Sequence, residues 1–82
     1  MNMANKVNLK ELQLLFNKIV IKSASITPSY TGNWTIIFMD DKHETYNLTA
    51  QRGEYRQFKT IDSAFKLCHK IGFENVEIVK MI

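Results

Sequence analysis

Apolar residues recur at helical spacing near both ends of the chain and alternate with polar residues in between. Leu9, Leu12, Leu15, Phe16, Ile19 and Val20 fall three or four apart, with Lys10, Gln13, Asn17 and Lys18 between them. This spacing predicts an amphipathic helix of about three turns. Asn8 stands at the N-cap position, and Glu11 completes a capping box. Residues 1–7 read as a polar lead-in. The second stripe is Ile61, Ala64, Phe65, Cys68 and Ile71, with Leu67 at its edge. Thr60 can cap this helix, Asp62 sits in its first turn near the positive end of the dipole, and Gly72 stops it.

The middle of the chain has period two. Ala24 and Ile26 alternate with Ser23, Ser25 and Thr27, and Pro28 ends this strand because proline cannot donate to a ladder. Ser29 to Asn33 is turn-rich. Trp34 to Met39 is the strongest strand: Trp34, Ile36 and Phe38 face one way, and Thr35, Ile37 and Met39 the other. Both sets are largely apolar, which predicts a central strand. Asp40 to His43 makes a tight polar connection into a strand over Glu44–Thr49, with Tyr46 and Leu48 on one face. Ala50 to Gly53 reads as a turn, with Gly53 free to take positive φ. Tyr55–Phe58 reads as a short strand, and Phe73–Met81 as a last one. That last strand follows a helix, which allows a parallel pairing or an edge position. The order α-β-β-β-β-α-β predicts one α+β domain over residues 1–82, a mainly antiparallel sheet with both helices packed on one face.

Composition narrows the class. Eighty-two residues leave room for one core, and domains of this size often gain stability by oligomerising, so a homodimer is expected. The net charge of +3 permits an acidic partner without demanding one. A single cysteine excludes an intramolecular disulfide and argues against a secreted scaffold. The N-terminus lacks the order of a signal peptide, and no apolar run approaches the roughly 20 residues that span a bilayer. A cytoplasmic protein without a membrane partner is expected.

Catalytic and metal-binding chemistry find little support. Cys68 and His69 are neighbours on a helix and point about 100° apart, so they cannot readily share a metal. Cys68 belongs to the apolar stripe, where burial keeps a thiol protonated. Asp40, Asp41 and His43 read as charged turn residues. No glycine-rich phosphate loop occurs. The expectation is no enzyme, no catalytic residue, no metal and no cofactor.

Two binding chemistries remain. Arg52, Arg56, Lys59, Lys66 and Lys70 gather positive charge within nineteen residues, against Glu54 and Asp62, with Tyr55 and Phe58 interleaved. Arginine forks onto phosphate and exposed aromatics stack on bases, so these five are the candidate nucleic-acid contacts. Phe58 is also a core candidate, and Lys66 and Lys70 suit a solvated helix face. The other chemistry is protein binding. Ile78 and Lys80 lie on a terminal strand of little charge, which is liable to pair with a partner or a second copy. Tyr30 and Trp34 are the candidate aromatic anchors, with core packing the favoured role for Trp34.

The run Arg56-x-Phe58-Lys59-x-Ile61-Asp62-x-Ala64-x-x-Leu67-x-x-x-Ile71-Gly72 resembles the C-terminal part of small accessory proteins carried by bacterial plasmids and integrative elements, partition-associated or replication-associated. The resemblance covers the last third of the chain and implies a DNA-maintenance role with no catalytic residues. A looser likeness is to the sheet-plus-helix DNA-binding domains of integrase arms and plant transcription factors. It rests on Gly32-Asn33-Trp34 opening a strand, Phe58-Lys59-Thr60 opening a helix, and Ala64 as the small residue between helix and sheet. This chain differs in having fewer strand arginines, an additional helix before and an additional strand after. The expected function is a small DNA-contacting accessory protein of a mobile element. The alternative is a protein–protein adaptor or inhibitor acting through the C-terminal edge strand or the Trp34 hairpin.

Overall fold

The structure, a computed structural model, describes residues 5–18, 20–29, 31–50 and 55–79. Its elements are β1 (Asn5–Val7), α1 (Leu9–Asn17), β2 (Ile21–Pro28), β3 (Trp34–Asp40), β4 (Thr45–Leu48), α2 (Ile61–Ile71) and β5 (Glu77–Ile78). The fold is α+β, with two helices and a five-stranded sheet.

Both helices start on the predicted caps. Asn8 Oδ1 accepts the Glu11 N–H at 2.7 Å, and Glu11 Oε1 accepts the Asn8 N–H at 2.9 Å. Thr60 Oγ1 accepts the Ser63 N–H at 3.1 Å. Helix α2 ends where Gly72, at φ +129°, donates its N–H to the Cys68 carbonyl. Helix α1 stops sooner than its apolar spacing predicts. The Val20 N–H reaches back five residues to Leu15, a wide turn that releases the chain into β2.

The strand order is β1-β4-β3-β2-β5, with β3 in the centre as expected. β3 runs antiparallel to both neighbours, while β1 pairs parallel to β4, and β5 parallel to β2. The sheet is therefore mainly antiparallel at its centre, as expected, but mixed rather than purely antiparallel because both edges are parallel. The cause is connectivity: β1 is joined through α1 to β2, and β4 through α2 to β5, and helical crossovers return the chain in its original direction, so β1 runs with β2 and β4, and β5 with β4 and β2.

Three strand readings change in extent. The lead-in contains β1, a short parallel edge strand held by Val7 as the Thr49 N–H (2.8 Å) and hydroxyl (3.2 Å) both donate to its carbonyl. Tyr55–Phe58 pairs only through two isolated bridges, Thr49 with Tyr55 and Trp34 with Phe58. It passes the ends of β3 and β4 instead of lying alongside them. The last strand narrows to Glu77–Ile78, because Phe73 turns into the core first. The Ala50–Gly53 turn lies mostly outside the described residues.

Topology decides where the core sits. The crossovers β1-α1-β2 and β4-α2-β5 each pass over two strands toward the β5 edge. Parallel crossovers are right-handed almost without exception, so two that run in the same direction place both helices on the same face. The contacts agree. Gln13 Nε2 donates to the Ile71 carbonyl at 3.1 Å, linking the helices. Phe73 packs against Phe16 of α1 and Phe38 of β3, with ring centroids 4.8 and 5.6 Å apart. Leu12, Ala64, Cys68 and Ile71 close over Ile26, Ile36, Phe38 and Leu48 in one cluster. On the other face of the sheet, which no described helix or strand covers, Thr35, Ile37 and Met39 are half-buried and Asn47 is buried, at 8% exposure.

The two hairpins share one turn design. Ser29 and Asn33 close the first, Asp40 and Glu44 the second, around three-residue loops. In each, the first residue's side chain accepts the N–H two residues on, at 3.3 Å for Ser29 and 2.9 Å for Asp40. In each, the third loop residue is left-handed: Gly32 at φ +89° and His43 at φ +67°. That position favours glycine.

Opposite outcomes are expected at His43 and at Gly72, the left-handed residue that ends α2. His43→Gly should raise stability by about 1 kcal/mol by relieving the left-handed strain, a Tm gain of roughly 4–8 °C. At Gly72, an added Cβ would lie 2.6 Å from Phe16 Cε2. Gly72→Ala should therefore cost about 2 kcal/mol or more. Chemical denaturation of both variants checks the signs.

Candidate nucleic-acid interface

The segment from Tyr55 to Thr60 carries the first half of the basic cluster and is well anchored. The Arg56 N–H donates to the Leu48 carbonyl at 2.8 Å. Trp34 and Phe58 exchange both backbone hydrogen bonds at 2.7 Å. Gln57 Oε1 accepts from the Thr31 hydroxyl and from Asn33 Nδ2, tying the segment to the first hairpin turn. Phe58 is buried, as expected of a core residue, and the Arg56 guanidinium lies 5.1 Å from its ring centroid. Such stacking uses the face of the guanidinium and leaves its in-plane N–H donors free for a phosphate. Lys59 is exposed immediately before the cap of α2.

Helix α2 carries the second half. Its inner face holds Ala64, Cys68 and Ile71, so Lys66 and Lys70 stand exposed on the outer one, about 6 Å apart along the axis. Lys66 Nζ is 3.2 Å from Asp62 Oδ2, with both side chains more than 70% exposed (77% and 73%). An exposed pair of this kind contributes about 0–1 kcal/mol and is screened by salt, so Lys66 is only weakly committed. His69 rests against Phe65, with ring centroids 4.7 Å apart. The four described cations thus line one stretch of chain from the lip of the sheet to the end of α2. Arg52 lies outside the described residues.

Base stacking finds less support than phosphate contact. Trp34 and Tyr46 are half-buried against the core, and Phe38 and Phe58 are within it. Tyr55 is 46% exposed, but Lys6 Nζ sits 5.4 Å above its ring. Of the candidate protein anchors, Trp34 packs on the core at the start of β3, and Ile78 is 40% exposed on the edge strand β5. Tyr30 and Lys80 lie outside the described residues.

The acid–base candidates occupy structural positions. Burial pushes the Cys68 thiol up to about 11, which keeps it protonated at neutral pH. Asp40 departs from its expected role as a solvated turn residue, being only 8% exposed. Its carboxylate accepts the Lys42 and Glu44 N–H groups at 2.9 Å each and the Tyr46 hydroxyl at 3.0 Å. Burial acts to raise its pKa, but the Glu44, Tyr46 and Lys42 donors and the Lys42 charge outweigh it and hold the carboxyl below 3.8. Tyr46 shifts upward through burial and through its bond to Asp40. An aspartate opening a hairpin loop, six residues before a tyrosine, was the available signal for this latch. Among the described residues, no group of three or more His, Cys, Asp or Glu side chains could hold a metal ion, and no helix is long and apolar enough to cross a membrane.

Comparison with protein-family models, with curated proteins and with solved structures finds no match.

The Asp40 latch makes a pH prediction. A carboxyl with a lowered folded pKa contributes stability that is fully present above its unfolded value of 3.8 and is lost as pH falls through the folded one. The acid limb of the stability curve below about pH 4 should therefore flatten in Asp40→Asn. Urea midpoints measured from pH 6 down to pH 2.5, for both proteins, check it.

Proposed function

We propose that this chain is a small non-enzymatic binding protein, a dimeric accessory factor of a mobile element that contacts DNA through phosphates. The observation that carries this reading is the run of exposed cations Arg56, Lys59, Lys66 and Lys70 on one anchored segment and the outer face of the helix it leads into. Arg56 is held by Phe58, and the backbone at Lys59 runs directly into the Thr60 cap. Among the described residues Tyr55 is the exposed aromatic, and it already carries Lys6, which favours backbone contact over base reading. Such binding positions a protein on DNA without selecting a sequence.

A second reading is supported by the edge strand. β5 pairs on one side only, and Ile78 and Val79 are 40% and 39% exposed there. An extended partner segment could add to it as a further strand, the role expected of an adaptor or inhibitor.

Salt separates the two readings. Fluorescence anisotropy with a mixed-sequence duplex should show affinity falling with a log–log salt slope of about −3 for three to four phosphate contacts. The double variant Arg56→Glu, Lys59→Glu should lose binding while keeping its circular dichroism spectrum. Affinity unchanged in that variant, or no binding at low salt, removes the DNA reading and leaves the strand-addition one.

A further inference from the structure

We infer that the sheet face opposite the helices, which none of the described elements covers, is the surface on which two copies of this chain pair, face to face about a two-fold axis. This gives the dimer proposed above its interface and does not depend on the DNA contact. The cross-strand register draws one straight row over this face: Lys6, Asn47, Ile37, Ser25 and Glu77, on β1, β4, β3, β2 and β5 in turn. Ile37 is at the midpoint, with Met39 beside it on β3. The three interior positions are uncharged; Ile37 and Ser25 are half-buried and Asn47 is buried in the single chain, so Ile37 and Ser25 offer most of the central contact. A cation, Lys6, whose Nζ rests 5.4 Å over the Tyr55 ring, stands two strands to one side of the centre, and an anion, Glu77, two strands to the other, about 10 Å away each.

That antisymmetry is the property a self-complementary surface needs. An isologous interface presents the same patch on both subunits, so each residue must suit the residue that the axis brings opposite it. An axis parallel to β3 and passing over Ile37 exchanges the two sides of the row. Ile37 then meets the second copy's Ile37, Asn47 meets its Ser25, and Lys6 meets its Glu77, twice over. An axis perpendicular to the strands would set Lys6 on Lys6 and Glu77 on Glu77, like charges that oppose association. The favoured axis also keeps the strands of the two sheets aligned, the arrangement in which twisted sheets pack. Twist splays the sheets apart toward their edges, and long side chains there can bridge the gap. An uncharged centre with charge at the rim is the usual anatomy of a protein interface. A different protein partner would not require the two edges to mirror each other in charge.

Sedimentation equilibrium of the full chain tests this. The wild type should be a dimer. Lys6→Glu and Glu77→Lys should each weaken dimerisation by at least about tenfold, since each creates two like-charge contacts. The double variant should recover to within about threefold, because the swapped pairs are restored. Ile37→Glu should be monomeric with an unchanged circular dichroism spectrum. Should Ile37→Glu fail to fold, the charge swap at the exposed rim still decides. A monomeric wild type, a dimer indifferent to these changes, or a double variant no better than the singles would overturn the inference. DNA binding is read separately by anisotropy, so failure of one proposal leaves the other standing.

Discussion

The handedness of two helical crossovers governs the rest of this molecule. β1 and β4 are parallel, and each leads through a helix to a strand three positions further along the sheet in the same direction. Right-handed connection then leaves no choice of side: both helices lie on one face. Everything apolar and bulky follows that decision. Phe38, Ile36, Leu12 and Cys68 meet in one core, and Gly72 lets the Phe16 ring come close enough to seal it beside Phe73. The opposite face of β3 keeps Ile37 and Met39 but gains no described layer of its own.

This one-sidedness gives two surfaces that meet only at the β1 edge, where Lys6 rests on Tyr55. The cations of the Arg56–Lys70 stretch belong to the helical layer and its approach, while the Lys6-to-Glu77 row lies across the other side of the sheet. Under the two proposals, pairing through the sheets puts the helices outermost and points the basic ridges of the two copies away from each other. A dimer so built would join two DNA segments rather than grip one. That geometry suits an architectural or tethering part in a DNA-maintenance assembly.

Much of the fold was legible because local chemistry agreed with tertiary need. The Asn8 and Thr60 caps, the two apolar stripes, the Gly72 stop and the alternation in Trp34–Met39 each point to one structure. β1 was not legible: Asn5-Lys6-Val7 has a single apolar residue, and its strand identity comes from backbone bonds to a segment some forty residues away. The parallel edges escaped for the same reason, since direction is set by crossovers and not by side-chain period. In the candidate site, exposure of Lys66 and Lys70 follows from the helical stripe, and Asp62 with Lys66 is a pair the i,i+4 spacing announces. The stacking of Lys6 on Tyr55 and the charge row across the sheet depend on register, which no local pattern reveals. Asp40 looked like a surface turn residue because its burial is produced by Tyr46, which folds back over it from the next strand.

Parallel pairing of both edge strands is what commits the two helices to one face. Nuclear Overhauser contacts across the two edges test it most directly. The account predicts parallel-type contacts joining Lys6 to Asn47 and Ser25 to Glu77, without the short contacts between α-protons that mark antiparallel pairs. Short α-proton contacts across either edge would reverse that strand, remove the crossover constraint and contradict the one-sided fold from which the bare face follows.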